Sequence, residues 1–233
     1  MEIKDRVIIL TGASMGIGKV TAELLYSKGA KLALVARSVD KINDFASNWK
    51  DCYILKVDLS IPENATKIIE DVHKHFGRID VLINNAGQGY RAPVELVDLD
   101  DYKYIIALNV YSPLLAMQAV IPIMRQQGGG TIVNISSNVS KNTFPSLGAY
   151  ASTKTALNML SLTARKELAE DNIIVSIVHP GLTATDFGKN SIKSKKEHKQ
   201  MLWNMPQADP AEKVADRILK IIITGDAEEH LVE

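Results

Sequence analysis

Val7-Ile8-Ile9-Leu10-Thr11-Gly12-Ala13-Ser14-Met15-Gly16-Ile17-Gly18-Lys19-Val20 is the stretch that decides the fold. Its aliphatic opening, rich in β-branched residues, reads as a strand covered on both faces. Gly12, Gly16 and Gly18 follow, and a helical pattern begins at once and runs to Lys28, where Gly29 stops it. Glycines let backbone come close to a ligand, and a helix start offers free N–H groups and the positive end of its dipole to phosphate. A strand, a glycine turn and a helix in that order therefore predict a pyrophosphate site. The spacing is not G-x-G-x-x-G, and Ala13 and Val20 break the Walker pattern despite Gly18-Lys19, which removes nucleoside triphosphate hydrolysis.

Outward from this turn the same alternation repeats. Strand-like runs at Arg6–Thr11, Lys31–Ala36, Tyr53–Val57, Ile79–Asn84, Thr131–Ser136 and Ile173–Val178 are separated by helical patterns at Gly16–Lys28, Pro62–Phe76, Leu99–Gln127, Ala149–Ala169 and Pro210–Thr224. Near-continuous apolar strands alternating with helices predict an α/β fold, a doubly wound parallel sheet with helices on both faces. The chain's 233 residues, 46% hydrophobic, suit one domain over 1–233 and leave little for a second. The segment 186–206, with Lys193, Lys195, Lys196, His198 and Lys199 beside Met201, Leu202, Trp203 and Met205, reads either as a solvated helix with one core-facing side or, since it follows the last long strand, as a lid over the cleft at the strands' carboxyl ends.

Composition excludes several classes. The 27 basic residues balance 27 acidic ones, so there is no electrostatic footprint for nucleic acid or an acidic membrane surface. Apolar runs are short of a membrane span and Met1 to Arg6 has no signal-peptide core, so no membrane partner is expected. Cys52 has no partner within the chain, which argues against disulfides and structural zinc and for a reducing, cytoplasmic setting; no metal is expected.

The second strand ends Val35-Ala36-Arg37-Ser38. A carboxylate there would accept from the ribose 2′-OH of NAD; a guanidinium beside a hydroxyl suits a 2′-phosphate, so NADP(H) is the expected cofactor. Tyr150 and Lys154 lie four apart on one helix face. With 7 tyrosines and 20 lysines in the chain, roughly 0.6 such pairs arise by chance, so context must carry the weight. It does so: Asn84-Asn85-Ala86-Gly87, Ser136-Ser137 and Pro180-Gly181 each end a strand at the edge where the glycine turn lies.

This ordered set resembles the short-chain dehydrogenase/reductase family over about residues 4–190: Thr11-Gly12-(x)3-Gly16-x-Gly18, Asp58, Asn84-Asn85-Ala86-Gly87, Asn109, Ser137, Tyr150-(x)3-Lys154 and Pro180-Gly181-(x)3-Thr185. The resemblance implies a Rossmann-like fold and a catalytic set in which Tyr150 is the general acid/base, Lys154 its electrostatic partner and ribose contact, Ser137 the carbonyl polariser and Asn109 the anchor of a proton-relay water. It places the cofactor against Gly12, Ser14, Met15, Gly16, Ile17, Gly18, Arg37, Ser38, Asp58, Leu59, Asn85, Ala86, Gly87, Tyr150, Lys154, Pro180, Gly181, Thr183 and Thr185, with Asp58 on adenine and Thr185 on the nicotinamide carboxamide. A free phenol has a pKa near 10, and a neighbouring ammonium together with the cationic ring of the oxidised cofactor is expected to favour the phenolate. Pro113, lacking an N–H, is expected to free the Asn109 carbonyl for water. His179 is expected to be a local hydrogen-bonding residue.

Met15 stands where NADP-preferring relatives often carry a cation, and Asp226–Glu233 lacks the V-x-G-G ending of many acyl-carrier-protein reductases. The expected function is hydride transfer between NADP(H) and a small ketone or secondary alcohol; reduction of 3-ketoacyl groups on acyl carrier protein and a non-catalytic NADP-binding regulator are the alternatives. The apolar helices at 99–127 and 149–169 point to a homodimer or homotetramer.

Overall fold

A computed structural model describes residues 1–194 and 207–231. Strands and helices alternate as β1 (Val7–Thr11), α1 (Gly16–Ser27), β2 (Lys31–Ala36), α2 (Asp40–Ala46), β3 (Cys52–Lys56), α3 (Asn64–Phe76), β4 (Val81–Asn84), β5 (Tyr90–Arg91), α4 (Leu99–Ile106), α5 (Ser112–Gln126), β6 (Gly130–Ile135), α6 (Gly148–Glu167), β7 (Ile173–His179), β8 (Ile192–Lys193), α7 (Ala211–Thr224) and β9 (Glu228–His230). Seven strands form one parallel sheet in the order β3-β2-β1-β4-β6-β7-β9, and β5 pairs with β8 in a separate two-stranded sheet. The strand order reverses between β1 and β4, where an open α/β sheet binds its ligand.

Alternation along each strand separates two cores. Ile8 and Leu10 of β1 face Leu25 of α1 and Val214, Ile218 and Ile221 of α7. Val7 and Ile9 face the opposite way, toward Ile68, Ile69 and Val72 of α3 and Met117, Val120 and Met124 of α5. Truncating a fully buried aliphatic such as Ile218 to alanine would cost about 2–5 kcal/mol, so either layer alone carries a large part of the stability. A buried polar row crosses the middle of the sheet: Asn84 Nδ2 donates to Asn134 Oδ1 and Asn134 Nδ2 to Ser161 Oγ, both at 2.8 Å. It ties β4 and β6 to α6, the helix that carries Tyr150 and Lys154.

The structure differs from the sequence reading in four places. The helix expected over 99–127 is broken by a π-turn at Ala107–Tyr111, where Ser112 N–H bonds the Ala107 carbonyl. Leu99–Gln126 is long and apolar enough to cross a bilayer by composition alone, yet half of its most apolar stretch is buried, and α5 packs on α3. Helix α2 escaped notice because only Ile42 and Ala46 turn inward. Strand β9 carries no apolar signal because its residues are charged: Glu229 is neutralised by Arg217 (2.7 Å) and Lys220 (3.0 Å) of α7, which lets a polar edge pair with β7. Of the helix or lid expected over 186–206, residues 186–194 form turns and β8; the remainder, with Lys195, Lys196, His198, Lys199, Met201, Leu202, Trp203 and Met205, lies outside the described residues.

Candidate active site

A cleft of about 850 Å³ opens at the carboxyl ends of the central strands. Every residue expected to hold the cofactor, from Gly12 to Thr185, lines it, as do Ser137, Tyr150 and Lys154; Asn109 is fully buried behind it.

The glycine turn has a steric logic. Gly12 adopts φ +67°, and a Cβ there would lie 2.9 Å from the Ala86 Cα. A Cβ on Gly18 would fall on the Gly12 carbonyl and 2.8 Å from Asn85 Nδ2. Asn85 explains the closeness, because its Nδ2 donates to the carbonyls of Thr11 (2.9 Å) and Gly12 (3.2 Å). In return the Thr11 hydroxyl accepts from the N–H groups of Asn85 and Ala86, each at 3.0 Å. The turns after β1 and β4 are thus one unit. Helix α1 begins there with no side-chain cap and no acidic residue in its first turn, so no carboxylate opposes an anion at its positive end. This cradle of glycine backbone and uncapped amides fits a dinucleotide pyrophosphate.

At the adenosine end, Arg37 and Ser38 are exposed at the tip of β2. Arg37 Nη1 donates to Tyr104 Oη of α4 at 2.9 Å, a partner the sequence reading did not find. Asp58 Oδ1 accepts from Ser60 N–H at 2.9 Å, which holds the carboxyl group at the cleft wall. Met15 Sδ receives only a long contact from Asn190 Nδ2, at 3.8 Å. Thr185 packs against the glycine turn, its Cγ2 3.1 Å from where a Gly16 Cβ would stand.

At the other end, Tyr150 is 7% exposed and Lys154 4% exposed, side by side on α6. Lys154 Nζ donates to the Ile135 carbonyl at 2.9 Å and lies 6.0 Å from the Tyr150 ring centre. Burial pushes the Tyr150 pKa up, and the Ser137 hydroxyl only partly offsets it. Burial also brings Lys154 down to about 8. Burial disfavours the charged form of each group, so a neutral phenol lies beside an ammonium that gives up its proton more easily than a free one. Ser137 caps the turn after β6, its Oγ accepting from Val139 N–H at 3.4 Å. Ser136 Oγ is buried without a hydrogen-bond partner among the described residues.

Asn109 sits in the π-turn. Its Oδ1 accepts from Gln88 N–H (2.9 Å), and its Nδ2 donates to the Gln88 carbonyl (3.0 Å) and to Thr153 Oγ1 (3.1 Å). The side chain therefore clamps the strand after Gly87 onto α6, a function that the reading centred on the Pro113 gap and the Asn109 carbonyl did not include. Gly87 permits the approach: a Cβ there would stand 3.2 Å from Asn109 Oδ1 and 3.4 Å from Lys154 Nζ. Phe187, with its ring centre 5.8 Å from that of Tyr150, was also missed, since nothing local marks a residue from the turn after β7 as a neighbour of α6.

His179 ends β7 immediately before Pro180-Gly181. It is fully buried, and burial outweighs the Glu228 hydrogen bond and brings its pKa down to about 4. A neutral imidazole facing a carboxylate carries its proton on Nε2, which donates to Glu228 Oε2 at 2.8 Å. Lys141 Nζ meets Glu228 Oε2 (3.1 Å) and His230 Nε2 (3.0 Å). With Asn138 Nδ2 donating to the Leu231 carbonyl at 2.8 Å, this cluster binds the loop after β6 to β9.

The chain matches the short chain dehydrogenase family model over residues 6–196. It is 36% identical to an uncharacterized oxidoreductase of Staphylococcus saprophyticus over 80% of this chain and 77% of that protein. A short-chain dehydrogenase from Streptomyces avermitilis superposes with a TM-score of 0.90 at 29% identity, covering 100% of this chain and 90% of that one. A short-chain dehydrogenase from Sphingobium yanoikuyae, solved in complex with NADPH, superposes at 0.84 with 27% identity, covering 97% and 87%.

Proposed function

Because this chain belongs to the short-chain dehydrogenase family and is an oxidoreductase, we propose that it reduces a small ketone to a secondary alcohol, and performs the reverse reaction, with NADP(H) as its cofactor. The observation that carries this reading is the meeting of Tyr150, Lys154 and Ser137 beside the glycine turn in one cleft. When bound, the cofactor supplies or accepts the hydride at the carbonyl carbon. Tyr150, kept protonated by burial, gives its hydroxyl proton to the carbonyl oxygen as the carbon is reduced. Ser137 donates a hydrogen bond to that oxygen and holds it in reach. Lys154 stabilises the phenolate left behind, and its pKa of about 8 keeps it charged at neutral pH while allowing it to pass a proton onward. Asn109 positions Gln88 and α6 around the reacting atoms.

Arg37 and Ser38 favour NADP(H), the guanidinium being steadied by Tyr104 near where a 2′-phosphate would lie. The NADPH complex of the Sphingobium relative supports this choice. The acyl-carrier-protein reading draws on the lid lysines, of which Lys193 is exposed on β8 and 195, 196 and 199 lie outside the described residues. The intact Tyr150, Lys154 and Ser137 set speaks against a protein that only senses cofactor.

The test is NADPH oxidation over ketones, aldehydes and 3-ketoacyl thioesters with wild type and Tyr150→Phe. Turnover with a ketone is expected, and the variant should lose about 10²–10⁴-fold in kcat while still binding NADPH. Near-normal turnover by the variant would remove Tyr150 from its role.

A further inference from the structure

One cation lining the cleft, Arg91, is not used by the reaction above, and a second, Lys193, is its strand partner outside the lining. Strands β5 and β8 pair in parallel with Tyr90 opposite Ile192 and Arg91 opposite Lys193. Paired residues of neighbouring strands share a face, and successive residues alternate faces. One face is apolar and closed: Tyr90 is 1% exposed, packs with Tyr150 and Ile192, and its hydroxyl accepts from Asp98 N–H at 2.7 Å. The other face therefore presents Arg91 and Lys193 side by side. Like charges at paired positions repel, and a half-buried cation without a counter-ion is costly.

Arg91 is half-buried at the cleft wall and Lys193 is exposed beside it. Among the described residues, neither side chain has a hydrogen bond or an ion pair. The nearby carboxylates are engaged elsewhere, Asp186 with Lys189 at 3.0 Å and Asp209 with Lys213 at 2.8 Å. The backbone holds the pair firmly in place: Ile192 N–H bonds the Gly89 carbonyl (2.9 Å), Ser194 N–H the Arg91 carbonyl (3.0 Å) and Ala92 N–H the Ser146 carbonyl (2.9 Å). Arg91 lines the same cleft as Ser137 and Tyr150, and the segment before it meets the catalytic helix through Phe187. Phe187, whose ring centre is 5.8 Å from that of Tyr150, has its Cε1 3.1 Å from where a Gly89 Cβ would stand.

We propose that the substrate is an anionic ketone, whose carboxylate or phosphate is bound by Arg91 with Lys193 beside it while its carbonyl oxygen faces Tyr150 and Ser137. A guanidinium offers two parallel N–H donors to either anion, and the adjacent ammonium adds charge without direction. The bound anion would separate two cations that otherwise repel. This inference rests on the reading of the cleft as a carbonyl-reducing site.

The experiment compares kcat/KM, with NADPH, for 2-oxo and 3-oxo acids, their methyl esters, and a phosphorylated ketone, in wild type, Arg91→Met, Arg91→Lys and Lys193→Met. Wild type should prefer an acid or the phosphorylated ketone over the neutral esters by roughly ten- to a hundredfold, as for one charge-assisted hydrogen-bonded contact. Which anion is preferred distinguishes carboxylate from phosphate. The preference should fall in Arg91→Met, chiefly through KM, return in part in Arg91→Lys, and fall less in Lys193→Met. NADPH titration reports whether each variant is folded; if Arg91→Met is not, Arg91→Lys and Lys193→Met decide. Equal or better use of the esters by wild type, or an anion preference unchanged in the folded variants, overturns the proposal alone. No NADPH oxidation with any carbonyl overturns the reductase reading and this proposal with it.

Discussion

Gly18→Ala separates packing from conformation at the cofactor site. Gly18 lies within α1 and its φ is outside the left-handed range, so helix propensity alone would reward the alanine by about 1 kcal/mol. The environment opposes it. The new Cβ would fall on the Gly12 carbonyl, 2.9 Å from the Gly12 carbonyl carbon and 2.8 Å from Asn85 Nδ2. Gly12 is itself closed in by Ala86 backbone, and Asn85 is tied to the Thr11 and Gly12 carbonyls. Overpacking against such atoms costs about 3 kcal/mol at the upper end of its usual range, and opening the turn breaks the Asn85 bond to Gly12 for about 1 kcal/mol more. After the propensity gain the net loss is about 3 kcal/mol, a fall of roughly 6–12 °C in Tm for a chain of this size. Gly77→Ala is the contrasting variant: φ is +76° with no heavy atom within 4 Å, so only the left-handed conformation is penalised, by about 1–2 kcal/mol. Thermal unfolding and NADPH titration are measured on both. Gly77→Ala should lose stability alone, whereas Gly18→Ala should also lose about tenfold or more in NADPH affinity, because the displaced turn is the pyrophosphate cradle. Wild-type affinity and Tm in Gly18→Ala would refute the steric account of the turn.

Cofactor preference should invert in the double variant Ala36→Asp, Arg37→Ala, from roughly ten- to a hundredfold for NADPH to a preference for NADH, read as kcat/KM with each; a wild type that prefers NADH would show that the end of β2 is misread. Asp80, nearly buried, resists the upward effect of desolvation through hydrogen bonds from Arg78 (2.6 and 3.0 Å) and Val7 N–H (2.9 Å) and the charge of Arg6, so its folded pKa is lowered. A depressed carboxyl stabilises the fold above its unfolded pKa of about 3.9 and loses that contribution as pH falls through the folded value. Asp80→Asn should therefore cost about 2 kcal/mol at neutral pH, with the gap to wild type closing in acid-unfolding curves below about pH 4; a constant gap would contradict the charge argument. Tyr111 of the π-turn (53% exposed) and Met159 of α6 (66% exposed) leave apolar surface on the two helical stretches expected to be covered by a second copy, so light scattering should give a dimer or tetramer mass, and a concentration-independent monomer would refute it.

What the sequence determined by itself is local or ordered. Apolar runs of strand length, the glycines after β1 and the ordered set from Thr11 to Thr185 were enough to read the sheet, the place of the cleft and the family, because side-chain alternation and backbone sterics act between near neighbours. Tertiary structure alone decided the properties that arise between distant residues. The partners Arg37 and Tyr104 lie 67 positions apart, and Lys141 reaches Glu228 across 87. The face shared by Arg91 and Lys193 exists only through the register of two strands of two residues each, too short to leave a periodic signal. Strand β9 is charged, and becomes an edge strand only because α7 supplies cations to Glu229. Tyr150 shows the division: its spacing to Lys154 names the neighbour, whereas the burial that raises its pKa comes from the fold. Spacing along a helix sets which groups are neighbours, but how much water they retain depends on every element folded over them, and desolvation is the larger effect.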